Sequence, residues 1–291
     1  MPAKTALIDA AELAALDPQQ VLIVDCRADL ADHDKGRRDW REGHIPGAVH
    51  ASLEQDLSDL SRQAEGLGRH PLPSEAALSA LLAGWGWRPG LQVVSYDAAG
   101  GALAAARLWW LLHLAGVREV AVLDGGWPAW LAAGLPVETT APAACTPTTV
   151  ALHYDPAQVL DHGALQQALA APEPLLVDAR AAPRYRGEVE PLDPAAGHVP
   201  GAVNRPFGDN LGPDGRFKDA AALRGEWLAV LGGHAPAQVV HMCGSGVTAC
   251  HNLLAMEHAG LGGSRLYAPS WSGWVSDPSR PVATGEASGR P

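Results

Sequence analysis

GHIPGAVH, residues 43–50, returns as GHVPGAVN at residues 197–204, with six of the eight positions unchanged. Upstream of it, VLIVDCR (21–27) matches LLVDAR (175–180). Downstream, LQVVSYDAAGGALAA (91–105) matches AQVVHMCGSGVTAC (237–250), and LDGGWPAWLAAGLPVET (123–139) matches YAPSWSGWVSDPSRPVAT (267–284). Taken at Asp25 and Asp178, His44 and His198, Asp97 and Cys243, and Trp127 and Trp271, the separations are 153, 154, 146 and 144 residues. Four signals recurring in one order at nearly one spacing are explained by a single duplication.

Within each half, short β-branched runs (VLIVD, QVVSY, EVAVLD, then LLVD and QVVHM) alternate with helical patterns such as ALAAARLWWLLHLAG and GVTACHNLLAMEHAG. Gly116 and Gly260 stand where a left-handed C-cap closes such helices. Alternating βα units predict an α/β fold: two domains, each a mostly parallel, buried sheet with helices on both faces. TTAPAACTPTTVALHYDP (139–156) lacks either period and reads as connecting chain. The expected division is therefore 1–140, a linker over 141–156, and 157–291. The drop in separation from 154 to 146 places about eight extra residues in the first half, around LSDLSRQAEGLGRHPLPS (57–74), a loop-like surplus where function tends to diverge.

A chain of 291 residues with 47% hydrophobic composition is long enough for two such cores. No run approaches the roughly 18 apolar residues that span a bilayer, and the opening MPAKTALIDAAELAALDP carries acids where a signal peptide needs an apolar stretch, so a cytoplasmic, non-membrane protein is expected. The net charge of −11 argues against a nucleic-acid surface. Four irregularly spaced cysteines, Cys26, Cys145, Cys243 and Cys250, form neither a CxxC pair nor a Cys/His cluster, so free thiols, no metal and no cofactor are expected.

Cys243 follows a buried strand, QVVHM, and precedes the helix of ACHNLLAMEHAG, at the carboxyl end of a parallel strand where ligands bind. Gly244 and Gly246 let the loop Cys243-Gly-Ser-Gly-Val-Thr curl so that its N–H groups, including those of Val247 and Thr248, turn inward, and the helix start adds partial positive charge. Such a cradle stabilises a thiolate or persulfide and makes Cys243 nucleophilic. An isolated cysteine at a strand end is ordinarily an inert buried residue, but the repeat supplies a comparison. Asp97 occupies the matching position of the first half, in DAAGGAL, and a merely apolar core position would not accept it. Both positions therefore read as solvent-facing loop mouths, of which only the second carries a thiol.

The duplicated GH[IV]PGAV turns, the Asp-for-Cys exchange and the CGSGVTA loop resemble the tandem-domain rhodanese family over nearly the whole chain, which implies two rhodanese-like domains and a sulfurtransferase working through a Cys243 persulfide. Within that family the loop is similar to the 3-mercaptopyruvate branch. The thiosulfate branch places basic residues after the cysteine, where this chain has Gly244 and Ser245, so thiosulfate is expected as a competing donor. The resemblance further implies a Ser/His/Asp relay, for which Ser245, His70 and Asp59 are the candidates, and an arginine holding the small anionic donor, Arg184. Arg186 nearby is expected to be more exposed. A second family arginine would fall near Leu192 and is missing. Arg69, beside His70, is the candidate replacement. The acceptor is expected to be a thiol, such as thioredoxin or glutathione, or cyanide.

His44 and His198 occur in both halves and read as turn-stabilising hydrogen-bonders. Asp25 with Arg27 and Asp178 with Arg180 read as structural ion pairs, Cys250 as helix packing, and the tryptophans as core. A phosphatase cradle would need an arginine six positions after the cysteine, where Ala249 stands. A non-enzymatic binding module would have no use for Cys243.

Overall fold

The computed structural model describes residues 3–170 and 174–286, so the outermost ends of the expected domains and positions 171–173 lie outside the described residues. The chain forms two compact units. One takes the chain through Asp59, Leu72–Asp155 and Pro213–Phe217, and the other takes Leu60–Pro71, Pro156–Gly212 and the chain from Lys218 onward.

In the first unit five strands, β1 (Leu7–Ile8), β2 (Val21–Asp25), β3 (Val49–His50), β4 (Gln92–Tyr96) and β5 (Val120–Leu123), pair in the order β1-β5-β4-β2-β3, every pair parallel. The second unit repeats this with β6 (Val159–Leu160), β7 (Leu175–Asp178), β8 (Val203–Asn204), β9 (Val239–Met242) and β10 (Arg265–Tyr267), ordered β6-β10-β9-β7-β8 and again parallel. Helices flank both sheets, so the α/β architecture follows the alternation in the sequence. In each sheet the strand order reverses at the middle strand, β4 or β9, which makes the loop after it the natural ligand position.

Side-chain caps start several of the helices: Ser74 accepts the Ala77 N–H (3.1 Å) ahead of Glu75–Gly84, and Asp161 accepts that of Ala164 (2.8 Å) ahead of His162–Leu169. Gly116 and Gly260 do sit at positive φ, at +80° and +67°. Trp271 and Trp274 pack with Val240, Met242 and Tyr267 in the second core, their indole N–H groups donated to the carbonyls of Ala195 and Pro281 (both 2.9 Å). The proline- and threonine-rich stretch carries no helix or strand up to Asp155 and is tied into the first unit. Thr148 donates its hydroxyl to the Trp87 carbonyl (2.6 Å), and the Leu152 N–H reaches Ser79 Oγ (3.0 Å).

The repeated strand ends carry one construction twice. Arg27 grips Asp25 (Nη2 to Oδ2, 2.6 Å), donates to the Gly43 carbonyl (2.6 Å) and lies 4.6 Å over the Trp127 ring. Arg180 does the same with Asp178 (2.7 Å), the Gly197 carbonyl (2.7 Å) and Trp271 (4.5 Å). Both pairs are buried, so they are internal braces rather than surface bridges. His44 and His198 complete the turns, bonding the carbonyls of Trp40 (2.7 Å) and Tyr185 (2.9 Å) through Nδ1 and stacking on those same rings.

Asp97 departs from the expected solvent-facing loop mouth, because it is wholly buried. Its Oδ1 accepts the N–H groups of Ala99 (2.8 Å) and Gly101 (2.9 Å), and its Oδ2 those of Leu103 (3.0 Å) and Ala105 (3.2 Å). The inward-turned amides are there, but the chain's own carboxylate fills them. Burial pushes this carboxyl up from its ordinary value against the four bonds that pull it down. Asp97→Ala leaves four donors, those of Gly101 and Ala105 buried, without their acceptor and is expected to lose about 3 kcal/mol in urea unfolding, with Asp97→Asn losing less because one acceptor oxygen survives.

Candidate functional site

Strand β9 delivers Cys243 to the centre of the second sheet's carboxyl edge, and three consecutive residues of another segment fasten the loop. The Cys243 N–H donates to Ser270 Oγ (3.1 Å), the Cys243 carbonyl accepts the Trp271 N–H (2.9 Å), and the Gly244 carbonyl accepts that of Ser272 (2.9 Å). Ser270 donates its own hydroxyl to the Tyr267 carbonyl (3.0 Å). It is the non-glycine residue at positive φ (+53°) among the described residues, a strained conformation of the kind that persists where the surroundings fix it. Ser270 was not among the sequence candidates. The repeat held its signal, since Gly126 stands opposite it in the first half at φ +56°.

The two loop glycines serve different ends. Gly246 takes a left-handed turn (φ +78°), as expected. Gly244 instead lies where the ends of two arginines approach the loop: a Cβ there would stand 2.9 Å from Arg69 Nη2 and 3.6 Å from Arg184 Nη1. Val247 and Thr248 lead into the helix Ala249–His258, their carbonyls accepting the N–H groups of Cys250 (3.0 Å) and His251 (3.2 Å). Cys250 is buried in that helix with its thiol 3.3 Å from the Gly246 carbonyl, as packing predicts.

Arg69 and Arg184 thus converge on the residue that follows the cysteine. Arg184 donates to Glu190 from Nη2 (2.6 Å) and Nε (3.2 Å), and its Nη2 also reaches Asp193 (3.3 Å); Arg69 bonds the other oxygen of Asp193. Leu192, where the missing arginine was sought, is exposed; its neighbour Asp193 is the residue that meets both guanidiniums. Arg186 turns to Glu188 instead (2.7 Å). Burial alone would raise the Glu190 carboxyl, but hydrogen bonds from Arg184 and from the Leu192 and Asp193 amides outweigh it and hold the group below its ordinary range. Glu190 and Asp193 had no place in the sequence reading.

His70 Nδ1 lies 2.8 Å from Ser245 Oγ, both side chains buried. The segment carrying His70 is seated by the Arg69 N–H on Ser272 Oγ (3.0 Å) and by Gly68 (φ +86°), whose missing Cβ would strike the Pro269 carbonyl. Asp59 is half-buried and belongs to the first unit, whereas the residues gathered around Cys243 belong to the second.

Cys243 is 1% exposed, so its loop, like that of Asp97, is not the open mouth the sequence suggested. The side chains of Arg69 (28% exposed) and Arg184 (19%), which approach Gly244, are by contrast partly open to solvent.

A family model described as a rhodanese-like domain matches residues 9–133 and again 161–277. The chain belongs to the rhodanese-like family. It is 50% identical over 282 residues to a probable 3-mercaptopyruvate sulfurtransferase of Pseudomonas aeruginosa, covering 96% of this chain and 98% of that one. It is 42% identical over 288 residues to a putative thiosulfate sulfurtransferase of Mycobacterium tuberculosis, covering 97% and 98%. Among solved structures, the 3-mercaptopyruvate sulfurtransferase from Leishmania major matches with a TM-score of 0.81 and 32% identity, over 94% of this chain and 74% of that one. This tandem rhodanese is accordingly a sulfurtransferase. No helix among its described residues is long and apolar enough to cross a membrane.

The burial pattern has a direct readout. A bulky maleimide dye should modify exposed Cys145 at least about a hundredfold faster than Cys243 in the folded protein, with the difference vanishing in denaturant, as peptide mass spectrometry would follow. Equal rates in the native state would contradict this arrangement.

Proposed function

We propose that the Cys243 thiolate takes sulfur from 3-mercaptopyruvate and passes it to a thiol, such as thioredoxin or glutathione, or to cyanide, in a ping-pong cycle. The observation that carries this reading is the convergence of Arg69 and Arg184 on Gly244, which offers guanidinium N–H groups to a donor carboxylate at the residue that follows the cysteine. The CGSGVTA loop and the names of the Pseudomonas and Leishmania relatives support the same donor.

The chemistry balances without a cofactor. The thiolate attacks the donor sulfur, an S–S bond forms, and the C–S bond breaks with its electron pair leaving as the pyruvate enolate. The proton of the donor thiol ends on the methyl group of pyruvate, and Cys243 is left as a persulfide anion. An acceptor thiolate or cyanide then takes the outer sulfur and restores the Cys243 thiolate. Ser245, 2.8 Å from His70, is suited to hold the enolate oxygen and exchange a proton with the imidazole. Thiosulfate is the second reading, supported by the name of the Mycobacterium relative. With it the same attack releases sulfite and needs no proton transfer.

Donor-treated wild-type protein should gain the mass of one sulfur atom on the peptide containing Cys243, and Cys243→Ser, folded normally, should neither gain it nor form thiocyanate. Residual turnover in that variant would overturn the assignment. His70→Asn is expected to lower kcat with 3-mercaptopyruvate about a hundredfold while leaving thiosulfate turnover within a few-fold, because only the first donor leaves as an enolate. Equal losses with both donors would remove the relay.

A further inference from the structure

The donor-facing arginines do not wait as uncompensated charges. Arg69 and Arg184 share the carboxylate of Asp193, one on each oxygen, and Arg184 also holds Glu190. Both carboxylates are 3% exposed. Arg180, the other guanidinium in reach of Glu190 (3.4 Å), is already matched by Asp178 (2.7 Å). Two positive groups therefore face two negative ones before any substrate arrives. The backbone of this turn is held by Glu190 Oε1, which accepts the N–H groups of Leu192 (3.1 Å) and Asp193 (3.2 Å), and the Asp193 carboxylate is held by the two guanidiniums, one on each oxygen.

A site whose cationic groups are already balanced treats anions differently from one with spare positive charge. A donor with one negative charge, such as an α-keto acid, places that charge on the guanidinium N–H groups near Gly244 and meets the repulsion of Asp193 once. A dianion such as thiosulfate meets it twice, beside the negative charge of the attacking thiolate. Because the interaction energy is proportional to the charge, the penalty on the dianion is double, and the low solvent exposure of Asp193 keeps it from being screened away.

We propose that Asp193 is a specificity-determining residue, its carboxylate shared between Arg69 and Arg184 so that the site favours a monoanionic sulfur donor over a dianionic one. This rests on the persulfide reading above. It assigns Asp193 an electrostatic part in donor choice and no part in the chemical step.

The test compares kcat/KM for 3-mercaptopyruvate and thiosulfate, with cyanide as acceptor, in the full-length wild type and in Asp193→Asn. Removing the charge should raise kcat/KM for thiosulfate about tenfold and for 3-mercaptopyruvate about threefold, the logarithm of the first gain being twice that of the second. Both gains should reside in KM. Asp193→Glu, which restores the charge, should return the wild-type ratio, and Asp193→Ser, uncharged but still a hydrogen-bond acceptor, is the second variant should the amide fold poorly. An equal factor for both donors would overturn the inference, and so would a rise in both KM values, which is what loss of a mere anchor for Arg69 would produce. Wild-type protein that loads no sulfur from either donor removes the persulfide reading itself. Wild type that loads normally beside unshifted variants removes only the electrostatic part of Asp193.

Discussion

Arg180 is the group on which the second unit's site is hung. It holds the Asp178 carboxylate at the end of β7, the Gly197 carbonyl of the GHVPG turn and the face of Trp271, whose backbone N–H in turn holds the Cys243 carbonyl. Through Glu190 it also touches the chain of charges that runs by Arg184 and Asp193 to Arg69. One buried cation thus connects strand end, turn, loop and donor residues. A buried cation stripped of even one acceptor is costly, so each of these contacts helps fix the others. The first unit keeps the brace in Arg27, where the loop it supports carries no thiol.

The duplication makes the two central loops a comparison within one molecule. Asp97 and Cys243 follow equivalent strands, and in each the residue's backbone carbonyl accepts a tryptophan N–H, that of Trp127 or Trp271. In the first loop an internal carboxylate takes up four amides. The first loop's inward-turned amides thus close on the chain's own carboxyl group, at the position where the second loop carries a thiol.

Fold class and the Asp–Arg braces were legible in the sequence because they rest on local periodicity or on a residue pair two positions apart, and the repeat with its paired turns because four stretches recur in one order at nearly one spacing. Cys243 stood out by its place between strand and helix and by the repeat, whereas Ser245, His70 and Arg184 were candidates only by resemblance and Arg69 only by adjacency. The contact of His70 with Ser245 spans 175 residues, a distance no local pattern encodes. Asp193 and Glu190 escaped because acids in a Pro-rich stretch ordinarily read as solvated loop. Ser270 escaped because serine gives no hint of a left-handed backbone. The depth of Cys243 was misjudged for another reason: an aspartate in the matching loop suggested water, when its acceptors were satisfied by amides.

The short excursion Leu60–Pro71 has a consequence for how this protein can be inherited and cut. It is encoded in the first half and packs with the second unit, while Pro213–Phe217 does the reverse. A gene truncated at the repeat boundary would encode the thiol yet omit Arg69 and His70. The two halves, born as copies, have traded parts and are no longer separable heirlooms: neither can be passed on alone with its working complement intact.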